Sequence, residues 1–390
     1  MSKHEREVIR QSSIVDRIVA SRDGKDLVGT AVSVPAEMTL PGPLVEPVAA
    51  VVGVAVWPTH RRQGRLSAMM RYQLDDLHAR GDSVAVLTSS EARIYQRFGY
   101  GPATLGSGYR LEKRDLRVVS VGSAELAAPA GTVRIVDLAR ATSCFPEVFA
   151  TYQATRAGEV SRLDLGWTMT LGRPVDEDQR DRFFVEFQEA GAVTGYAVYR
   201  IVADPVDWGR RTVRLVELCA ATPASYVALW SYLVDIDLVP TLETGSRPLD
   251  EPIRWALSDY RRMRTMWTSE HTFVRLVDVA RALSARRYHD AGDLTLAVAD
   301  PFCDWNSGTY RLSVGGPDGK ATVERTDLAG KVDSVDVALD VSALGSIYLG
   351  GLRPGGLADI GLITEIRAGA LDRADRMFVG PRPPFCSTQF

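Results

Sequence analysis

Seven residues, Pro58-Thr59-His60-Arg61-Arg62-Gln63-Gly64, followed by Arg65, Leu66 and Ser67, lie between an apolar run and an amphipathic stretch. Three arginines around a glycine are the makings of an anion site. The first amides of a helix have no intrahelical partners and carry the positive end of the helix dipole. A glycine lets a phosphate approach the backbone closely, and guanidinium groups add charge-assisted hydrogen bonds, so a pyrophosphate is the ligand class. An R-x-x-G tetrad standing alone is most often a surface loop, and its meaning depends on its flanks.

Residues 48–57 are almost continuously apolar, which predicts a strand buried on both faces. Over residues 61–78, Leu66, Met69, Met70, Leu74 and Leu77 recur at intervals of three and four, the spacing of one helical face. Residues 84–87 are strand-like and residues 91–97 predict a short helix. Strand, helix, strand predicts a crossover that sets the two strands side by side and parallel. Upstream, a helical stretch at residues 3–12 is expected, then a hairpin from residues 17–21, the turn Asp23-Gly24-Lys25 and a strand over 27–34.

Composition bounds the rest. A chain of 390 residues exceeds one ordinary domain, and 45% hydrophobic with 24% charged residues is globular, not disordered. The net charge of -3 offers no basic footprint for nucleic acid. Cys144, Cys219, Cys303 and Cys386 are widely spaced, so neither a metal site nor a disulfide framework is expected, only buried thiols. No apolar run approaches the ~20 residues of a membrane span, and the first residues do not form a secretory leader, so a cytoplasmic location is expected. Three segments follow from the patterning. Residues 1–110 are α/β. Residues 111–275 repeat that plan in worn form, with strands at 192–201 and 212–219 and a helix at 224–234. The turn before that helix, Ala220-Ala221-Thr222-Pro223, has no glycine or arginine to cradle a pyrophosphate. Residues 276–390 are α+β, with a helix at 278–287, strands at 294–298, 309–314 and 321–325, and helical stretches at 341–348 and 366–378.

The tetrad Arg61-x-x-Gly64 resembles the Q/R-x-x-G-x-G/A signature of the GNAT acetyltransferase superfamily, departing from it at Leu66. With Ser90-Glu91-Ala92-Arg93-Ile94-Tyr95-Gln96-Arg97-Phe98-Gly99-Tyr100-Gly101-Pro102-Ala103, the chain is similar to the Eis (enhanced intracellular survival) family over nearly its whole length. That resemblance implies tandem GNAT-like domains, the second degenerate, plus a C-terminal sterol-carrier-protein-like domain. It implies acetyl-CoA as cosubstrate, a small-molecule amine as acceptor, and a homo-oligomer, hexameric in the family. By the same resemblance, backbone groups of Val54 and Val56 would hold the pantetheine arm and the thioester carbonyl. Arg61, Arg62, Gln63, Gly64, Arg65, Leu66 and Ser67 would wrap the pyrophosphate, and Ser90 would line the site. Tyr95 matches the residue that protonates the departing thiolate, a task suited to a phenol with a reference pKa near ~10. Phe390 matches a terminal phenylalanine whose α-carboxylate accepts the proton of the attacking amine.

Other residues have simpler roles. His60 is expected to be structural, Phe98 and Tyr100 to pack, and Asp75 and Asp76 to face solvent. Trp167, Trp208, Trp230, Trp255, Trp267 and Trp305 are expected in cores or interfaces. Where some relatives carry histidine, Thr88 stands here, and its role is expected to be lost. The acidic neighbour of the terminal phenylalanine is Gln389. Only about twenty residues precede the hairpin, so either the natural start lies upstream or part of the acceptor wall is missing. Two functions compete on these grounds: acetylation of a polycationic small molecule such as an aminoglycoside, with polyamine or protein lysine as alternative acceptors, and a non-catalytic module binding CoA or an apolar ligand.

Overall fold

A computed structural model describes residues 15–119, 131–172, 181–204, 210–326 and 334–390. The helical stretch expected at residues 3–12 and Trp208 lie outside the described residues. The chain divides into two compact units: Met1–Leu105 with Arg156–Ser161 and Glu270–Phe390, and Gly106–Thr155 with Arg162–Ser269.

The first unit is built on a six-stranded sheet. The expected hairpin is present as β1 (Ile18–Asp23) and β2 (Asp26–Leu40), antiparallel through Ile18↔Val32 to Asp23↔Asp26. β2 runs six residues past the expected end, through Pro35. It turns at residues 41–43 into β3 (Leu44–Val56), with which it pairs from Leu40↔Leu44 onward. Helix α1 (Arg65–Arg80) buries Met69, Met70, Gln73, Leu74 and Leu77, so its apolar face is the one its spacing predicts. It starts four residues later than expected, because Pro58–His60 forms a 3-10 turn and Arg62 and Gly64 take left-handed φ of 62° and 76°. Gly81 caps its other end at φ 81°. β4 (Val84–Thr88) then lies parallel to β3 at Ala49↔Ala85 and Ala50↔Val86, the arrangement the crossover rule predicts.

The outer neighbour of β4 comes from far along the chain. Strand Thr272–Leu276 pairs antiparallel with β4, Thr272 opposite Thr88 and Leu276 opposite Val84, and then with Gly101–Pro102. Residues 272–276, read with the middle segment in the sequence, thus complete the first sheet. A second sheet of this unit runs Ala321–Thr326, Gly308–Val314, Gly292–Ala299, Val337–Asp340, Ile363–Glu365, with the central pair parallel and the rest antiparallel. Its helices are Val279–Ala285, Val341–Ile347, Pro354–Ala358 and Ala370–Phe378. The last is shorter than the expected 366–378, since Ile363–Glu365 is a strand. Arg275 and Asp300, both fully buried, pair at 2.6 Å between the two sheets of the unit. Removing one partner of such a pair would leave a bare buried charge.

The second unit holds a seven-stranded sheet in the order Met263–Glu270, Leu105–Glu112, Thr241–Thr244, Arg211–Ala220, Ala192–Ala203, Arg182–Glu189, Thr132–Val136. Helices Leu138–Gln153 and Pro223–Asp235 cover it with separate cores, one around Phe145, Phe149 and Tyr196, the other around Leu229, Trp230 and Leu233. The strand–helix–strand order 211–220, 223–235, 241–244 repeats that of β3, α1 and β4, again with the two strands parallel. Trp230 is buried as expected, whereas Trp255 and Trp267 are 70% and 42% exposed, and tryptophan here is not uniformly core. Cys219, Cys303 and Cys386 are buried and Cys144 is partly so, all with free thiols. No helix among the described residues is long and apolar enough to cross a membrane.

Candidate active site

The site begins where β3 parts from β4. Only two residue pairs join them, although β3 continues to Val56 and β4 to Thr88. A bulge causes the parting: the β2–β3 register shifts between Thr30 and Val32, Gly53 sits at φ 59°, and the Thr30 hydroxyl donates to the Gly53 carbonyl at 2.9 Å. Bulges bend a strand and raise its twist. Beyond Ala50, no strand among the described residues pairs with β3 on the β4 side. The expectation of a strand buried on both faces therefore holds only to Val51; from Val52 to Val56 exposure alternates, with Gly53 and Ala55 exposed and Val54 and Val56 half-buried.

Helix α1 opens toward the same end of the sheet strands. Its N-cap, Gly64, has no side chain to offer, and no side-chain cap is made. The first amides are left free for a ligand. A Cβ on Gly64 would meet nothing within 4 Å, but its φ of 76° disfavours any other residue. The three arginines differ. Arg61 donates through Nε to the Val56 carbonyl at 3.3 Å, and Arg62 is exposed in its left-handed turn. Arg65 is committed to the β1–β2 turn, donating to the Arg22 carbonyl at 2.9 Å and lying 3.6 Å from Asp23. His60 lies 3.3 Å from Asp23 and 2.8 Å from the Thr59 hydroxyl, which ties it to the same turn as a structural residue. Gln63 is exposed and accepts from Arg65 at 3.3 Å, and Ser67 is half-buried. These features fit the phosphate end of acetyl-CoA: open helix amides, a glycine and guanidinium groups, with an unpaired strand edge leading away.

Leu66, Val54 and Tyr95 pack against one apolar cluster that includes Val51, Met70, Leu87, Phe98 and Tyr100. Tyr95 lies on the short helix α2 (Ala92–Gln96). Its ring meets Phe98 and Tyr100 edge-on, at centroid distances of 6.5 and 6.0 Å, and burial raises its pKa, so the phenol holds its proton. Phe98 and Tyr100 are buried packing residues, as expected. Ser90 is exposed at the turn into α2. Phe390 is half-buried, and its main-chain oxygen accepts a hydrogen bond from the Thr88 hydroxyl at 2.8 Å. Thr88, from which no role was expected, thus ties the last residue to the end of β4. Nothing local marks it, because its partner is 302 residues away.

Comparison with known proteins places this geometry. Residues 2–103 and 158–276 each match families described as acetyltransferase (GNAT) domain, and residues 279–387 match the sterol carrier protein domain. An uncharacterized N-acetyltransferase of Streptomyces coelicolor is 39% identical over 95% of this chain and 88% of its own. N-acetyltransferase Eis of Mycobacterium tuberculosis is 31% identical over 96% of this chain and 90% of its own. The crystal structure of Eis1 from Mycobacterium abscessus superposes with a TM-score of 0.80 at 33% identity, covering 96% of this chain and 90% of that one. A GCN5-related N-acetyltransferase from Anabaena variabilis shares the fold at 18% identity, with a TM-score of 0.82 over 100% of this chain and 94% of that one. With two GNAT domains, a sterol-carrier-like domain and this similarity along nearly its whole length, the chain is an N-acetyltransferase of the acetyl-CoA-using GNAT class and belongs to the Eis family.

Proposed function

We propose that the protein acetylates primary amines of a polycationic small molecule of the aminoglycoside kind, by direct attack of the amine while acetyl-CoA is bound. The observation that carries this reading is the assembly, on one sheet, of an open helix start at Gly64, a protonated phenol at Tyr95 and the Phe390 oxygen tethered by Thr88. When bound, acetyl-CoA supplies an activated acetyl group as its thioester. Arg61, Arg62 and the amides of Arg65, Leu66 and Ser67 hold the pyrophosphate, and the β3 edge at Val54 and Val56 aligns the pantetheine arm. Preorganised amides of that edge face developing negative charge on a carbonyl oxygen, the role in which fixed donors contribute most. The Tyr95 hydroxyl delivers a proton to the leaving sulfur. The α-carboxylate of Phe390 takes the proton released by the amine, directly or through a water. Its reference pKa near ~3.5 makes it a weak base whose effect depends on placement. Family membership supports an amine acceptor; the polycationic class, with polyamine or protein lysine as the alternatives, is our extension of it. The protein is cytoplasmic and forms a homo-oligomer in this reading, a hexamer as in the family, with the exposed Trp255, Met266 and Trp267 as candidate contact residues.

A thiol-release assay with acetyl-CoA and a panel of aminoglycosides, polyamines and lysine peptides tests the activity. We expect turnover with the aminoglycosides. Silence across the panel, with acetyl-CoA binding intact by calorimetry, would leave a CoA-binding module in place of an enzyme. Adding one glycine after Phe390 tests the terminal carboxylate, and we expect most turnover to be lost while acetyl-CoA still binds. Sedimentation tests the assembly, and a monomer would refute it.

A further inference from the structure

The last residues of the chain are held by a strap that enters the first unit from the middle of the sequence. Residues Arg156–Ser161 belong to that unit although their neighbours on both sides belong to the other. The strap is fixed to β2 as a short extra strand. Gly158 N–H donates to the Thr39 carbonyl at 2.7 Å, Thr39 N–H to the Glu159 carbonyl at 2.9 Å and Ser161 N–H to the Glu37 carbonyl at 2.7 Å, with Met38 bridging Val160. On its other side the strap takes the tail. Phe385 N–H donates to the Ala157 carbonyl at 2.9 Å, Arg156 Nη2 to the Pro383 carbonyl at 3.0 Å and the Thr388 hydroxyl to the Val160 carbonyl at 2.7 Å. The Glu159 carboxylate, fully buried, accepts from the Ser387 N–H at 3.0 Å through both oxygens and from the Thr388 N–H at 3.1 Å. The Cys386 thiol lies 3.6 Å from the same group. The seam is close: a Cβ on Gly158, already at φ +93°, would lie 2.8 Å from Thr104 Cγ2 and 3.3 Å from the backbone of Phe385.

A buried carboxylate is a costly way to fill space, since an aliphatic side chain would avoid the desolvation. What it adds is register. Two consecutive amides converging on one carboxylate fix which residues of the tail sit at the strap, and a slip of one residue would move the end by ~3.3 Å. Two residues further, Thr88 holds the Phe390 oxygen at 2.8 Å. We propose that Glu159 and Thr88 are positioning residues for the proton-accepting end of Phe390, Glu159 by setting the register of residues 387–388 and Thr88 by fixing the final oxygen. This rests on the reading of Phe390 as proton acceptor given above.

The test compares Thr88→Val, Thr88→Ser, Glu159→Gln and the glycine-extended chain in the full-length protein, with acetyl-CoA and the best acceptor of the panel. A misplacement of about an ångström costs on the order of 10- to 100-fold in rate. We expect Thr88→Val to lower kcat about tenfold with acetyl-CoA affinity unchanged, and Thr88→Ser to restore it to within about twofold, a split that a merely structural threonine would not produce. Glu159→Gln should lower kcat as much and speed hydrogen exchange at the Ser387 and Thr388 amides. If Glu159→Gln fails to fold, the two Thr88 variants, at a half-buried strand end, decide alone. Parental kcat in Thr88→Val, with turnover lost in the glycine-extended chain, would overturn the positioning role while leaving Phe390 as acceptor. Parental kcat in the glycine-extended chain would remove Phe390 itself, and the positioning role with it.

Discussion

The two GNAT domains contain the same strand–helix–strand and treat its helix start in opposite ways. At α1 the cap is Gly64, the N-terminal amides are uncapped by any side chain, and arginines stand around them. At helix Pro223–Asp235 the cap is Thr222, whose hydroxyl accepts from the Ser225 N–H at 3.1 Å while the Ser225 hydroxyl accepts from the Thr222 N–H at 3.2 Å. The neighbouring strands differ in the same sense. Each parallel pair parts near a bulge, which lies between Val52 and Ala55 of β3 in the first domain and between Leu215 and Glu217 in the second. In the second domain, however, Gly245 N–H donates to the Leu215 carbonyl at 3.0 Å and Arg247 Nη1 to the Leu218 carbonyl at 2.7 Å. Arg162 and Tyr196 close on Glu217 at 2.6 and 2.7 Å. One framework leaves the helix start without a side-chain cap, and the other satisfies its helix start and strand edge with its own side chains and main chain. Degeneracy here is a redistribution of hydrogen bonds within an unchanged topology.

That contrast can be broken or sharpened by substitution. The largest effect is expected at Tyr95, which follows the parted strands only in the first domain. Tyr95→Phe should lower kcat ~10²- to 10⁴-fold with acetyl-CoA affinity nearly intact, as steady-state kinetics and calorimetry would show; an unaltered rate removes Tyr95 from the mechanism. Next is Gly64→Val. The open space around Gly64 tolerates the side chain but its φ of 76° does not, so the loop should shift and acetyl-CoA affinity should fall roughly tenfold or more, with the far-ultraviolet circular dichroism unchanged. Equal affinity by calorimetry would mean that the helix start does not bind the pyrophosphate. Smaller is Thr222→Ala, which removes the cap of the second domain. It should cost about 1 kcal/mol in denaturant unfolding and leave acetyl-CoA binding unaltered. A change in affinity there would show that the second helix start is also a ligand site. Smallest is the alkaline response. Because burial raises the Tyr95 pKa above its ordinary value of 10.0, kcat should show no loss from phenol ionisation until the pH exceeds about 10.

How much of this the sequence discloses depends on the range over which each feature is encoded. β3, α1 and β4 are legible because a buried run, a 3.6-residue period and a crossover rule are all local. The helix at Pro223–Asp235 is legible for the same reason, and the absence of glycine and arginine before it anticipates a closed helix start. The parting of β3 from β4 is not legible, because half-buried valines alternating with an exposed glycine and alanine read as a continuous buried run when their partner strand is unknown. Strand Thr272–Leu276, Thr88 and Glu159 are invisible for a deeper reason. Each acquires its role from residues far away in the chain, and Glu159 on composition alone reads as a surface acid.

The strand Thr272–Leu276, set against β4, also bears on how the protein comes into being. β4 leaves the ribosome with an open edge, and the strand that covers it follows only after roughly 180 further residues, on the order of ten to forty seconds at ordinary elongation rates. By the end of that interval the second domain has been made in full, through Ser269, while the first still waits with Phe273's place in its core unfilled. A released chain truncated before residue 272 should therefore protect the second domain from protease and leave the first open to it, so that the domain first to be made is the last to be finished.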